Sequence, residues 1–153
     1  MPEPEVFSRY DIYIDIHSPT EAHVKRVLVI KNLETKAVIP GLAHLQIFLG
    51  QKEKPIKIKN VKMTYEDGTP IPTSLIKSEG KSIIRYDVWT PIKARSSMRI
   101  YAEYDLEGPL MKGYLFKQFS YPILESAIPI WSSEIKIRLP KGYSASYISE
   151  GGV

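Results

Sequence analysis

Residues 98–106, Met-Arg-Ile-Tyr-Ala-Glu-Tyr-Asp-Leu, alternate apolar and polar side chains more regularly than any other stretch of the chain. The even-numbered positions are apolar, and the positions between them are mostly polar. A period of two is that of a β-strand with one face in a core and the other toward water. This stretch decides the fold class, because the same alternation returns along the chain and no long segment has the 3.6-residue period of a helix.

The alternation predicts about nine short strands, separated by turns that contain glycine or proline. They cover residues 10–17, 24–33, 45–49, 56–65, 84–88, 98–106, 114–121, 130–139 and 143–148. Short strands at near-regular spacing are typical of a sandwich or a barrel. We therefore predict an all-β fold, an antiparallel two-layer β-sandwich.

Two stretches depart from simple alternation. The apolar positions change phase between Ile58 and Val61, which a β-bulge with one extra residue near Asn60 would explain. Residues 18–21, Ser-Pro-Thr-Glu, have the form of a helix N-cap with proline at the first helical position, so a short helix over residues 19–26 competes with a turn. We favour the turn, because the β-branched residues that follow fit a strand.

The composition indicates one folded domain. The chain has 153 residues, 43% of them hydrophobic and 25% charged, which is within the range of globular proteins and enough for a single core. We assign residues 1–149 to one β-sandwich domain. Residues 150–153, which include two glycines, are predicted to be a flexible tail or a truncated linker.

Several classes of chemistry are excluded by absent residues and motifs. The sequence has no cysteine, so disulfides, thiolate metal sites and cysteine nucleophiles do not occur. Neither G-x-G-x-x-G nor G-x-x-x-x-G-K-[ST] is present, and we expect no cofactor. No apolar run approaches about 18 residues and the N-terminus does not resemble a signal peptide. We expect a soluble chain without a transmembrane segment and leave its compartment open.

The composition also suggests a habitat. Isoleucine (20) and lysine (15) are abundant, whereas asparagine (2) and glutamine (3) are scarce. Hyperthermophile proteins deviate from the average in this direction. A thermophilic, archaeal-like origin is therefore a hypothesis.

The histidines give one candidate metal site. His17 shares a predicted strand face with Asp15 and Asp11, so two carboxylates and one imidazole could approach a metal ion. We favour a solvated outer face of an edge strand, because no second histidine joins the group. No nucleophile motif accompanies the histidines, and we predict a chain without enzyme activity, catalytic residues or metal ligands.

A lysine-rich run is the first candidate binding surface. Residues 51–63 contain five lysines and one glutamate, and such a run attracts nucleic acid or an acidic membrane surface. The alternative, that these lysines protect an edge strand from aggregation, is favoured because arginine is absent from the run. The candidate anion-binding residues are Lys52, Lys54, Lys57, Lys59 and Lys62.

Aromatic residues are the second candidate. Exposed rings can stack on sugars or contact a protein, which suggests a carbohydrate-binding module as a further alternative. The opposing interpretation is that the rings pack across strands with their polar ends in water. The residues concerned are Tyr10, Tyr13, Trp89, Tyr101 and Trp131.

The segment 119–131, Phe-Ser-Tyr-Pro-Ile-Leu-Glu-Ser-Ala-Ile-Pro-Ile-Trp, is apolar for a connection between strands. It either caps the open end of the sandwich or offers a docking patch for a partner. We predict that the chain is a non-enzymatic accessory or protein-interaction module, whose partner is another protein or a further domain of the same chain. The candidate partner-binding residues are Tyr121, Ile123, Leu124, Ile128 and Trp131.

Two strand ends carry a family resemblance. Residues 104–108, Tyr-Asp-Leu-Glu-Gly, followed later by residues 138–142, Arg-Leu-Pro-Lys-Gly, resemble immunoglobulin-like modules that precede membrane anchors or other domains in archaeal and bacterial proteins. The resemblance implies an immunoglobulin-like sandwich. It implies no particular function.

Overall fold

The computed structural model describes residues 5–48, 57–78, 81–108 and 130–139. These residues form eight strands. The strands are β1 (Glu5–Ser18), β2 (Glu21–Asn32), β3 (Gly41–Phe48), β4 (Lys57–Tyr65), β5 (Thr73–Ser78), β6 (Lys81–Val88), β7 (Ser97–Glu107) and β8 (Ser133–Arg138). The all-β prediction is confirmed.

The strands are arranged in two sheets. One sheet has five strands in the order β4-β7-β2-β1-β8, and the other has three in the order β3-β6-β5. The three-stranded sheet is antiparallel, but the five-stranded sheet is mixed, because β8 runs parallel to β1. The predicted antiparallel arrangement does not hold for this pair, whereas the other strand pairs of the described residues are antiparallel. Strands so far apart in the sequence are not joined by a hairpin, so no tight turn sets their relative direction.

The strand predictions have different outcomes along the chain. The turn after Ser18 is confirmed, since β1 and β2 form a hairpin there. Strand β5 was not predicted, and it lies at a sheet edge behind Pro70 and Pro72. The predicted strands over residues 114–121 and 143–148 lie outside the described residues, as do most of residues 119–131 and the tail 150–153.

The bulge predicted near Asn60 is confirmed. The pairing of β4 with β7 shifts between Lys59 and Lys62, and Asn60 has a φ of 57°. This left-handed conformation is one that asparagine adopts more readily than most residues. The shift puts Lys62 on the outer face of the sheet and leaves Met63 in the core.

One hydrophobic cluster contains buried side chains from both sheets. The five-stranded sheet contributes residues such as Ile12, Val24 and Ile100, and the three-stranded sheet contributes Ile84 and Val88. Their inward positions follow the two-residue period of each strand. Burial of this apolar surface is the main stabilising contribution to the fold.

The core also contains a charged residue, Arg26, at an inward position of β2. Its Nε donates a hydrogen bond to the Tyr104 hydroxyl at 3.0 Å, and its Nη1 donates to the Tyr10 hydroxyl at 2.8 Å. The guanidinium also lies near both tyrosine rings. These contacts compensate the loss of hydration of the buried charge. Tyr86 is another buried tyrosine of the core, and burial raises the pKa of its hydroxyl group.

Candidate functional site

The charged side chains on the outer face of the five-stranded sheet lie in rows that cross the strands. Two neighbouring rows each have one residue from every strand of the sheet. The paired row contains, from β4 to β8, Lys59, Asp105, His23, Asp15 and Arg138. The lysine row contains, in the same order, Lys62, Glu103, Lys25, Tyr13 and Lys136.

The charges of the paired row have partners. His23 Nδ1 lies 2.7 Å from Asp105 Oδ1, and Asn60 Nδ2 donates to Asp105 Oδ2 at 2.8 Å. These two hydrogen bonds, the one from Asn60 first, hold the pKa of Asp105 below its ordinary value. Arg138 lies 4.0 Å from the carboxylate of Asp15. Opposite charges directly across neighbouring strands, such as Asp15 and Arg138, stabilise the pairing of those strands.

Lys59 also contacts the next acidic residue on β7. Its Nζ donates a hydrogen bond to Glu107 Oε2. That bond raises the pKa of Lys59 and lowers the pKa of Glu107. Lys59 is thus neutralised within the sheet.

Strand β1 contains a buried carboxylate, Asp11. Arg9 Nε donates to Asp11 Oδ2 at 2.6 Å, and the backbone N–H of Glu134 donates to Asp11 Oδ1 at 3.0 Å. Asp11 therefore joins β1 to β8, whereas the sequence pattern assigned it to a solvated face. His17 is exposed, and no group of three or more histidine or carboxylate side chains within the described ranges is arranged to hold a metal ion.

Lys25 and Lys62 of the lysine row border a shallow depression of about 100 Å³. The other lining residues are Thr64, Tyr101 and Glu103. The ammonium of Lys25 lies 5.0 Å from the centre of the Tyr101 ring. Among the residues that the structure describes, none forms an ion pair within 4.0 Å with Lys25, Lys62 or Glu103.

Three of the five predicted anion-binding lysines lie within the described residues. Lys57, Lys59 and Lys62 lie on β4, beside the acidic outer side of β7. Lys52 and Lys54 lie outside the described residues. Anion binding by the whole run stays a prediction.

The candidate aromatic residues lie in different environments. Tyr10 is buried in the core, where the sequence pattern had left it partly outward. Lysine ammonium groups lie over the rings of Tyr13, Tyr101 and Trp131. A lysine on a ring occupies at least one of the two faces on which a sugar would stack.

Five large apolar side chains in the described part of the chain are exposed: Ile39 (51%), Leu42 (46%), Ile76 (41%), Trp89 (64%) and Trp131 (58%). All except Ile76 belong to one end of the molecule. We call Ile39, Leu42, Trp89 and Trp131 the tryptophan end.

Backbone contacts establish that these residues share an end. Gly41, next to Leu42, pairs with Val88, next to Trp89. The N–H of Trp131 donates to the carbonyl of Phe7, near the start of β1. Because β1 starts where β2 ends, the tryptophan end lies around the last residues of β2.

The side chain of Asn32 holds the loops of this end together. Its Nδ2 donates to the carbonyls of Lys36 at 2.8 Å, Ile92 at 3.0 Å and Lys93 at 3.3 Å, and its Oδ1 accepts from the N–H of Glu34 at 2.8 Å. Asn32 is fully buried. The two-residue alternation does not mark Asn32 as a functional position. The sequence signal that could have found it is the rarity of asparagine, since the chain has two asparagines and each supports irregular backbone.

One of the five predicted partner-binding residues lies within the described part of the chain. It is Trp131, which is exposed two residues before β8 begins. The other four, Tyr121, Ile123, Leu124 and Ile128, lie outside the described residues. Within the described ranges there is also no helix with the length and apolarity needed to cross a bilayer.

No protein-family model and no curated protein sequence matches this chain. Among solved structures, a putative nutrient-binding protein of Legionella pneumophila is similar with a TM-score of 0.48 and 11% identity, over 69% of this chain and 40% of that one. An M1 zinc metallopeptidase of Deinococcus radiodurans is similar with a TM-score of 0.39 and 12% identity, and the match covers 72% of this chain and 22% of that one. Yeast LTA4 hydrolase is similar with a TM-score of 0.38 and 8% identity, and the match covers 67% of this chain and 14% of that one.

This chain thus spans less than half of each of these proteins. At such values of identity and TM-score the likeness carries no argument about activity or partners.

Proposed function

We propose that this chain is a non-enzymatic protein-interaction module that binds a partner protein through the tryptophan end. One observation carries the proposal: four of the five exposed large apolar side chains of the described residues lie at that end. Tryptophan is enriched among the residues that dominate binding energy at interfaces. Clustered exposed apolar side chains are typical of interaction surfaces, whereas single ones are ordinary.

We also propose the finer architecture expected from the sequence, an immunoglobulin-like sandwich. Support comes from the hydrophobic cluster that draws on both sheets. Such folds present loops at their ends for recognition. Three residues of the tryptophan end, Ile39, Trp89 and Trp131, lie outside the strands, and Leu42 lies at the start of β3.

The charges around the tryptophan end suggest the chemistry of the partner. Lys31 lies over the ring of Trp131, and the exposed residues Lys36, Lys93 and Arg95 lie in the two loops that Asn32 joins. Two acidic residues, Glu34 and Asp87, lie in the same region and are half-buried. The partner is therefore a protein surface with an apolar centre and an acidic rim.

The test compares polar substitutions inside and outside the tryptophan end. Trp89→Ser and Trp131→Ser remove exposed anchors, and Ile76→Ser is the matched control because Ile76 is exposed on β5, away from that end. All three should change the free energy of unfolding by less than about 0.5 kcal/mol, as surface substitutions usually do. A denaturant titration checks that each variant is folded.

A photo-crosslinking residue then replaces Leu42, which is exposed within the tryptophan end. In extracts of the source organism it should give one cross-linked protein, and an excess of unlabelled wild-type chain or of Ile76→Ser should compete. Trp89→Ser and Trp131→Ser should compete at least tenfold less well, and added salt should weaken the complex. Equal competition by all variants would contradict the proposal.

A further inference from the structure

The lysine row contains three charges that the sheet does not neutralise. Elsewhere on the same outer face the basic groups of Arg9, Lys59 and Arg138 lie against carboxylates. Lys25 and Lys62 flank Glu103 on neighbouring strands. Even so, the described residues contain no ion pair of either lysine with it.

The positions of the two lysines are fixed by different features. Lys25 is held over the ring of Tyr101, an attraction that orients the ammonium without neutralising its charge. Lys62 follows the bulge at Asn60, and the pairing shift puts it opposite Glu103 on the outer face. Bulges are common beside functional sites, because they redirect a side chain.

We propose that the depression between Lys25 and Lys62 binds an oxyanion that carries a neighbouring hydroxyl group, as a sugar acid does. The two ammonium groups donate to the oxyanion, and the Thr64 hydroxyl on the same wall adds a donor. Glu103 repels an anion but accepts hydrogen bonds. Its place between the lysines therefore selects a ligand with a hydroxyl donor beside the negative group.

The size and surroundings of the depression favour a small ligand over a polymer. Its volume of about 100 Å³ gives room for one charged group and its neighbouring hydroxyl. The adjoining paired row contains Asp15 and Asp105. A long polyanion such as nucleic acid would meet these carboxylates, so it is disfavoured here.

This surface lies on strands β4, β7 and β2 of the five-stranded sheet and not at the tryptophan end. Lys25 and Lys31, which contacts Trp131, are six residues apart on β2, roughly 20 Å in a strand. The inference therefore does not depend on the proposed function. Either can fail while the other holds.

Binding is tested with defined probes on the full chain, by titration followed with backbone amide NMR signals. D-glucuronate is the main probe, D-glucose lacks the anion, and acetate lacks the hydroxyls. Glucuronate should shift amide signals of β2, β4 and β7 around the lysine row and bind at least tenfold more tightly than acetate or glucose. Glucose binding equal to that of glucuronate would overturn the role of the anion, and equal acetate binding would overturn the role of the hydroxyl.

Variants identify the residues responsible. Lys25→Ala and Lys62→Ala should each weaken glucuronate binding at least tenfold, whereas the matched control Lys77→Ala, which removes the same charge from exposed β5, should leave it unchanged. Glu103→Ala should strengthen acetate binding and reduce the preference for glucuronate. An unchanged affinity in Lys62→Ala, or an equal loss in Lys77→Ala, would overturn the site.

Discussion

The outer faces of the two sheets differ in the kind of side chain that they expose to water. On the five-stranded sheet, many charges have partners on neighbouring strands, as Arg138 has in Asp15 and Lys59 in Glu107. On the three-stranded sheet, Leu42 and Ile76 are exposed on strands β3 and β5. A face whose groups bind one another gains little from a partner, whereas a face with exposed apolar side chains gains from burial.

The comparison suggests different roles for the two sheets. The outer face of the five-stranded sheet is stabilised in part by its own ion pairs, in which Lys25, Lys62 and Glu103 take no part among the described residues. The tryptophan end is the proposed recognition surface, and Ile76, which lies away from it on β5, is not part of it. Substitutions on the first should therefore change stability, and substitutions at the tryptophan end should change binding, except where a residue supports the loops.

Asn32 is such a support, and replacing it should have the largest effect. Asn32→Asp removes the Nδ2 donors and points a carboxylate at the carbonyls of Lys36, Ile92 and Lys93. We expect a loss of about 3 kcal/mol in the free energy of unfolding, because buried polar groups lose their partners and a charge is buried. Urea denaturation at neutral pH measures it.

The matched control is Asn60→Asp, the same change at an exposed position. Asn60 donates one hydrogen bond to Asp105, and aspartate tolerates the left-handed backbone found there. A loss of less than about 1 kcal/mol is expected from an exposed interaction. Equal losses in the two variants would contradict the view that Asn32 anchors the tryptophan end.

Asp11 should give the largest effect on the charged face. Asp11→Ala removes the acceptor of the Glu134 N–H and the partner of Arg9, so β8 loses a contact with β1. A loss of about 2 kcal/mol is expected, because the backbone donor is left without its acceptor. Thermal and urea unfolding of the two proteins measure the difference.

Asp15→Ala provides the comparison on the same strand. Asp15 is half-exposed and its contact with Arg138 is 4.0 Å long, so a loss below about 0.5 kcal/mol is expected. Should Asp15→Ala cost as much as Asp11→Ala, burial would not be the reason for the role of Asp11.

The sequence predicted the fold where one face of a strand is buried. Residues 98–106 became β7, because the core imposes a period of two on the side chains that face it. The bulge at Asn60 was predictable for the same reason, since the apolar phase must be restored after the extra residue. Asp11 was not predictable, because its burial depends on Arg9 and on a strand far along the chain.

Other features left little local signal. Strand β5, Thr-Ser-Leu-Ile-Lys-Ser, has its two apolar residues adjacent, so it does not alternate. Its place at a sheet edge does not require alternation as strictly as a central position does. The anchoring by Asn32 depends on residues 92 and 93, which the sequence does not mark as neighbours. The exposed tryptophans were named as candidates, but alternation alone did not assign them to one end.

The smallest predicted effect concerns the pH dependence of Asp105. Hydrogen bonds from Asn60 and His23 lower the pKa of Asp105 in the folded state. Such a carboxylate stabilises the protein above its unfolded pKa of about 3.9, and the contribution is lost as the pH falls through the lower folded value. Asp105→Asn should therefore lose about 0.5–1 kcal/mol at neutral pH. The difference from wild type should shrink as the pH falls below about 3.9.

Urea denaturation of both proteins between about pH 2.5 and pH 7 tests the sign of this dependence. Asn60→Ala should reproduce part of the loss with the same pH dependence, because Asn60 makes the largest contribution to the low pKa. The double variant should lose less than the sum of the single variants, since both remove one interaction. A difference that grows toward acid pH would mean that Asp105 is stabilised as the protonated acid, and the paired row would then not be an array of matched charges.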